Sequence, residues 1–145
     1  MHVLNVIWIF SPDGQRVLMC KRHKEPYKGL YNLPGGKAEP GESGPAAAYR
    51  ELQEETGISG IELAHVMDFT YHMSRSSPGR AVRIELYCGT LPAMVCVQGD
   101  EKELVWLDVN ENFFDMTRFA GEGNIGHMYE QIKLNGLCPA PGGLA

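Results

Sequence analysis

The sequence predicts one α/β domain of the α+β kind, with strands and two helices sharing a single core. Five apolar runs of strand length, at 3–10, 16–22, 61–71, 82–91 and 104–109, are separated by turn residues. The alanine-rich stretch between Ser43 and Gly57 carries both a start and a stop signal for a helix. Near the C-terminus, Ile125, Met128, Tyr129 and Ile132 recur at helical spacing. The 145 residues suffice for one core and would cramp a second folded unit, so a single domain over 1–145 is expected.

Taken in order, VLNVIWIF at 3–10 is nearly continuously apolar, as a strand covered on both faces would be. SPDG at 11–14 supplies turn chemistry ahead of RVLMCKR at 16–22, which predicts a hairpin. The polar segment 23–32 is read as a loop leading into a glycine-rich stretch, PGGKAEPGESG. Ser43 or Gly44 then caps a helix predicted over 45–56, with Pro45 in the first turn and three alanines of high propensity behind it. Gly57 suits a left-handed stop, after which Ile58 can pack back on Leu52. The later apolar runs are strands, with a loop at 72–80 between two of them. The last helix is predicted over 125–133, and the tail at 135–145 is expected to be loosely ordered, because its composition offers little to pack.

A formal net charge of -5 excludes a broad basic surface for long nucleic acid. It does not exclude a small polyanion held by metal. The first apolar run has no basic leader or cleavage site and is too short to cross a bilayer, so a cytoplasmic protein without membrane contact is expected. Cys20, Cys88, Cys96 and Cys138 form no CxxC pair and are expected as reduced, buried thiols. The five histidines show no ligand spacing.

The chemistry concentrates on the first helix. Glu51, Glu54 and Glu55 stand at i, i+3 and i+4, so three carboxylates project from one side about one turn apart. Such a cluster is either a solvated face or a site for a hard divalent cation, which binds carboxylate oxygens and bridges to phosphates. The glycine-rich loop before it favours the second reading, because glycines let backbone carbonyls and amides approach an ion or phosphate closely.

The residues Gly36, Glu42, Arg50, Glu51, Leu52, Glu54, Glu55, Gly57 and Ile58 match G-x5-E-x7-R-E-U-x-E-E-x-G-U throughout, where U is a bulky aliphatic residue. Seven of these positions demand one residue type, so a chance match has a probability of about one in a billion per starting point and coincidence is set aside. In this box the chain resembles the Nudix hydrolases, in particular their MutT-like branch. The resemblance implies an α/β/α sandwich with a central mixed sheet, the box forming a loop-helix-loop. It also implies hydrolysis of a nucleoside diphosphate linked to another group, dependent on Mg²⁺ with Mn²⁺ as a substitute.

By the same resemblance, Glu54 and Glu55 are metal ligands, the Gly35 carbonyl lies nearby, and Glu51 is either ligand or general base. Arg50 orients the glutamates, and Glu42 bonds inside the loop-helix-loop. Glu101 or Glu103 is a candidate for a further carboxylate from outside the box, a solvated turn being the equal alternative. Lys21 and Arg22 end the second strand, where Arg22 is a candidate phosphate contact. Asn124 either reads a purine edge or caps the last helix. Trp106 is expected in the core, and Tyr31 and Phe119 are core or stacking surface. The expected substrate is a (deoxy)nucleoside triphosphate such as 8-oxo-dGTP, cleaved to monophosphate and pyrophosphate. The rivals are ADP-ribose, a dinucleoside polyphosphate, and a non-catalytic nucleotide sensor.

Overall fold

The computed structural model describes residues 2–73, 79–99 and 103–140. Strand β1 (His2–Phe10) runs parallel to β5 (Val82–Thr90) over nine residue pairs, from His2 opposite Val82 to Phe10 opposite Thr90. Strands β2 (Arg16–Lys21), β3 (Tyr31–Asn32), β4 (Ala64–Tyr71) and β6 (Glu103–Asp108) join antiparallel. The order is β3-β2-β1-β5-β4, with β6 paired to β2, so the sheet is mixed. Helix α1 (Gly44–Thr56) lies on one face and α2 (Asn124–Leu134) on the other.

Alternation along β1 divides the core between the two faces. Ile7 and Ile9 pack with Leu18, Tyr87 and the Ala48 and Leu52 side chains of α1. Trp8 and Phe10 face the other way, with Val17, Met19 and Leu86, against Ile125, Met128 and Ile132 of α2. Both faces of β1 are therefore covered, which is why its sequence is an unbroken apolar run. Trp8 stacks on Tyr129 with ring centroids 4.8 Å apart. Ile58 packs in the same cluster as Leu52, as expected.

Helix α1 starts where its sequence says. The Ser43 Oγ accepts from the Ala46 N–H at 3.2 Å, and Gly57 closes the helix in a left-handed conformation, donating its N–H to the Gln53 carbonyl at 2.8 Å. The expected hairpin forms at its mouth, where Phe10 pairs with Val17, but β2 then leaves β1 and takes β3 on that edge, while its other edge pairs with β6 over six residues. The freed edge of β1 is taken by the glycine-rich segment. Ile7 donates to the Pro34 carbonyl at 2.9 Å, Asn5 to the Gly36 carbonyl at 2.8 Å, and Ala38 to the Val3 carbonyl at 3.1 Å. This substitution at the sheet edge carries the loop to its place beneath α1.

Some expectations are corrected. The segment expected as a loop at 23–32 ends in the short strand β3, and Trp106 is half-buried at the edge of the α1-side cluster. Cys20 and Cys88 are buried, whereas Cys96 and Cys138 are exposed; all four are free thiols. In the tail, Leu137 packs on the core, and residues 141–145 lie outside those described. No helix among the described residues is long and apolar enough to cross a membrane.

Candidate active site

The loop and α1 meet at two glycines. Gly35 has φ 146°, and a Cβ there would fall 2.1 Å from the Asn5 carbonyl oxygen. At Gly36 a Cβ would fall 2.5 Å from the Glu51 carboxyl carbon. Real Cβ atoms do not approach so closely, so only glycine lets the loop lie between β1 and the Glu51 carboxylate. That carboxylate is held inward, with its side chain 14% exposed.

Arg50 ties the parts together. Its Nε and Nη2 donate to the two Glu42 oxygens at 2.8 and 2.9 Å, the forked geometry that suits a guanidinium to a carboxylate. Its Nη1 donates to Glu51 at 3.0 Å and to Glu54 at 3.1 Å, and Nη2 also reaches the Lys37 carbonyl at 3.0 Å. Glu42 accepts in addition from the Glu39 N–H at 3.0 Å. Hydrogen bonds from Arg50 first, and then from that N–H, hold the Glu42 carboxyl down to about 2. The bond to Glu42 first, and then that to Glu51, raises the Arg50 guanidinium above its ordinary value. Arg50 and Glu42 thus join loop to helix, and Arg50 sets the azimuth of two box carboxylates.

A cavity of about 650 Å³ opens beside this network. It is lined by Gly35, Gly36, Glu51 and Glu55 of the loop and α1, by the apolar Leu4, Val6, Phe69, Ile84 and Met128, and by the polar Arg22, Tyr27, Asn32, Glu122 and Asn124. Glu54 is not among the lining residues; its side chain is 52% exposed and paired to Arg50. The donor set suits a hard divalent ion, because carboxylate oxygens and a glycine carbonyl are the ligands that Mg²⁺ and Mn²⁺ accept. Gly35 and Gly36 line the cavity and form a cradle that a Cβ would fill.

The recognition residues are distributed less simply. Arg22 lines the cavity with its Nε bonded to the Pro26 carbonyl at 2.7 Å. Asn124 is the first residue of α2, and the cap is Gly123, in a left-handed conformation and without a side-chain cap bond. The alternative of Asn124 as helix cap is therefore overturned, while its place on the cavity stands. Phe119 is core at 1% exposure, and Tyr31 is half-buried against it with ring centroids 6.3 Å apart. Lys21 pairs with Glu103 across β2 and β6; Glu103 is exposed and does not line the cavity. Glu101 lies outside the described residues.

The polar cavity residues Asn5, Asn32 and Glu122 escaped the sequence reading, and Tyr27 lay in a segment whose tyrosines either line a site or face water. The Tyr27 hydroxyl bonds the Glu122 carboxylate at 2.7 Å, a contact between residues 95 positions apart that no local pattern signals. Among the described residues, the group of three ligand-type side chains whose donor atoms lie close enough to share a metal ion is His65, Asp68 and Glu85, and it shares no residue with the cavity. A bulge in β4 brings His65 and Asp68 opposite Tyr87 and Glu85, and these groups satisfy one another: His65 bonds Asp68, and Glu85 accepts from Tyr87 and Arg83.

Comparison with known proteins places this arrangement. A family model described as NUDIX domain matches residues 1–128. A Bacillus subtilis protein provisionally named an 8-oxo-dGTP diphosphatase is 42% identical over 66 residues, covering 46% of this chain and 42% of the relative. The chain thus spans less than half the length of that relative. The CTP pyrophosphohydrolase of Escherichia coli is 32% identical over 108 residues, covering 71% of this chain and 73% of the relative. The NUDIX domain of Shewanella oneidensis NrtR, solved as a complex with ADP ribose, superposes with a TM-score of 0.70 at 18% identity, over 92% of this chain and 86% of that one. This last likeness is one of fold.

Proposed function

This chain belongs to the Nudix family, and on that premise we propose that it hydrolyses a nucleoside diphosphate-linked substrate, foremost a purine (deoxy)nucleoside triphosphate such as 8-oxo-dGTP. The observation that carries the reading is the lining of one cavity, which gathers the box residues Gly35, Gly36, Glu51 and Glu55, apolar side chains, and the polar Arg22, Asn32 and Asn124. A triphosphate needs charged groups and a base needs apolar surface with a few polar contacts, and this lining offers both.

Glu51 and Glu55, with Glu54 turned in from the rim and the Gly35 carbonyl, would hold Mg²⁺ or Mn²⁺. When bound, the ion offsets the charge of the pyrophosphate and fixes its orientation. Arg50 keeps Glu51 and Glu54 aimed, by the bonds it already makes. Water attacks one phosphorus, the bridging P–O bond breaks, and the products are a nucleoside monophosphate and pyrophosphate. Glu51, as general base or as ligand, is the carboxylate best placed to take the proton, since it is the one pressed against the loop. Arg22 presents a guanidinium to phosphate oxygens. Asn124 offers both a donor and an acceptor to a purine edge. The apolar walls bury the base and keep bulk water off the reacting groups.

The test is a panel of nucleotides that includes 8-oxo-dGTP, CTP, ADP-ribose and a dinucleoside polyphosphate, with Mg²⁺ or Mn²⁺ and scored for phosphate and pyrophosphate release. Preferential turnover of a purine triphosphate with pyrophosphate release is expected. Preference for CTP or ADP-ribose would replace the substrate and leave the hydrolase. No turnover of any member would favour a sensor.

A further inference from the structure

Asn5 interrupts an apolar row. Its side chain lies on the α1-side face of β1 with those of Ile7 and Ile9, and the residue is only 3% exposed. It holds Gly36 at two points: the Asn5 N–H donates to the Gly36 carbonyl at 2.8 Å, and the Asn5 Oδ1 accepts from the Gly36 N–H at 3.2 Å. Its Nδ2 is buried and finds no partner among the described residues. An apolar side chain of the same size would leave no donor stranded in the interior. Packing is therefore a poor account of an asparagine here, and the acceptor is what distinguishes it.

The Gly36 N–H belongs to the same planar unit as the Gly35 carbonyl. In a trans peptide the two point in opposite directions, so fixing one fixes the other. With its N–H held by Asn5, this peptide turns the Gly35 carbonyl away from the β1 side chain, at a residue that lines the cavity with Glu51 and Glu55. A hydrogen bond to the N–H also polarises the unit and makes the carbonyl oxygen a stronger donor to a cation. We propose that Asn5 is a positioning residue for the divalent cation, acting through the Gly35–Gly36 peptide. The proposal rests on the metal-dependent reading above and adds a residue that lies outside the box at 36–58.

The test uses the purified chain without substrate, reading Mn²⁺ binding by the electron paramagnetic resonance of the free ion. Parental protein, Asn5→Leu and Asn5→Asp are compared, with Tm of the metal-free proteins and hydrogen exchange of the Gly36 amide. Asn5→Leu keeps the branched side chain and its number of heavy atoms with a somewhat larger volume, removes the acceptor and removes the stranded donor. It is expected to weaken Mn²⁺ binding about 10- to 100-fold, the usual range for groups that orient a ligand, and to speed Gly36 exchange while leaving Tm unchanged or raised. Asn5→Asp keeps an acceptor and is expected to keep Gly36 protected and Mn²⁺ bound. Asn5→Ala loses the same acceptor and supplies the measurement should the leucine variant not fold. Parental Mn²⁺ affinity in Asn5→Leu or Asn5→Ala, with Tm lowered, would overturn the proposal and leave Asn5 a packing residue. Failure of the parental protein to bind Mn²⁺ would overturn the metal-dependent reading, and the role of Asn5 with it.

Discussion

Two sets of residues at the cavity are built in different ways. In the box, one continuous stretch of chain supplies the loop, the helix and four acidic side chains, and a single arginine binds three of them. In the other set, Arg22, Tyr27, Asn32, Glu122 and Asn124 come from two stretches far apart in the sequence, 22–32 and 122–124. Those at 27 and 122 meet only because two loops fold over the same opening. The contrast teaches where each set is vulnerable. The box has little slack, because a misplaced atom meets a carboxylate or a backbone oxygen. On the proposed function, changes in the other set should alter the choice of substrate without disturbing the chemistry.

The sharpest way to break this contrast is at the carboxylates. Glu51→Gln and Glu55→Gln keep size and remove charge, and each should lower kcat by about a hundredfold or more if the ion stabilises the transition state. Glu54→Gln, half-exposed and outside the cavity lining, separates a ligand from a solvated neighbour. A loss as large as that of Glu55→Gln would make it a ligand. A rate near that of the parent in all three, or activity in excess chelator, would refute the metal-dependent reading.

Next in size is Gly36→Ala. Its methyl group would lie 2.5 Å from the Glu51 carboxyl carbon and must push that carboxylate away. About 10- to 100-fold loss of activity is expected, the range for displacing a ligand's support. Normal circular dichroism would locate the damage in the site. Full activity would mean that the loop yields, contrary to the lack of slack claimed for the box.

In the other set, Asn124→Ala should cost about 1 to 3 kcal/mol of discrimination between purine and pyrimidine triphosphates. Arg22→Ala should weaken all triphosphates together. Both effects are read from kcat/KM across the four nucleoside triphosphates and 8-oxo-dGTP. Because Gly123 already caps α2, Asn124→Ala should leave Tm near that of the parent. Unchanged substrate ratios would remove Asn124 from base reading and leave the box as it stands.

The smallest effect is on stability against pH. Arg50 and the Glu39 N–H depress the folded Glu42 carboxyl from 4.5 to about 2. A depressed carboxyl contributes stability that is present in full above the unfolded value and is lost as pH falls through the folded one. Tm should therefore fall between about pH 5 and pH 2, and Glu42→Gln should flatten that part of the profile. An identical slope in the variant would show that Glu42 contributes nothing to it.

The local stretches were legible before the fold was. Ser43, Pro45 and Gly57 fix the ends of α1 through caps and dihedral preferences that act within a few residues, and the structure places that helix within one residue of the expected span. The box spacing brought Glu51 and Glu55 to the cavity for the same local reason, while Glu54 stays half-exposed outside its lining, and the Arg50 to Glu42 bond joins helix to loop. Tertiary structure alone decided the departure of β2 from β1 and the entry of residues 34–38 into the vacated edge. Hydrogen bonds there are chosen among competing strands, and that competition is settled by what else each strand buries. It also decided that Gly123, not Asn124, caps α2, and that Tyr27 meets Glu122. Asn5 shows the division most clearly. In the sequence it is one polar residue in an apolar run; only when the loop lies against β1 does its carboxamide have a peptide to hold.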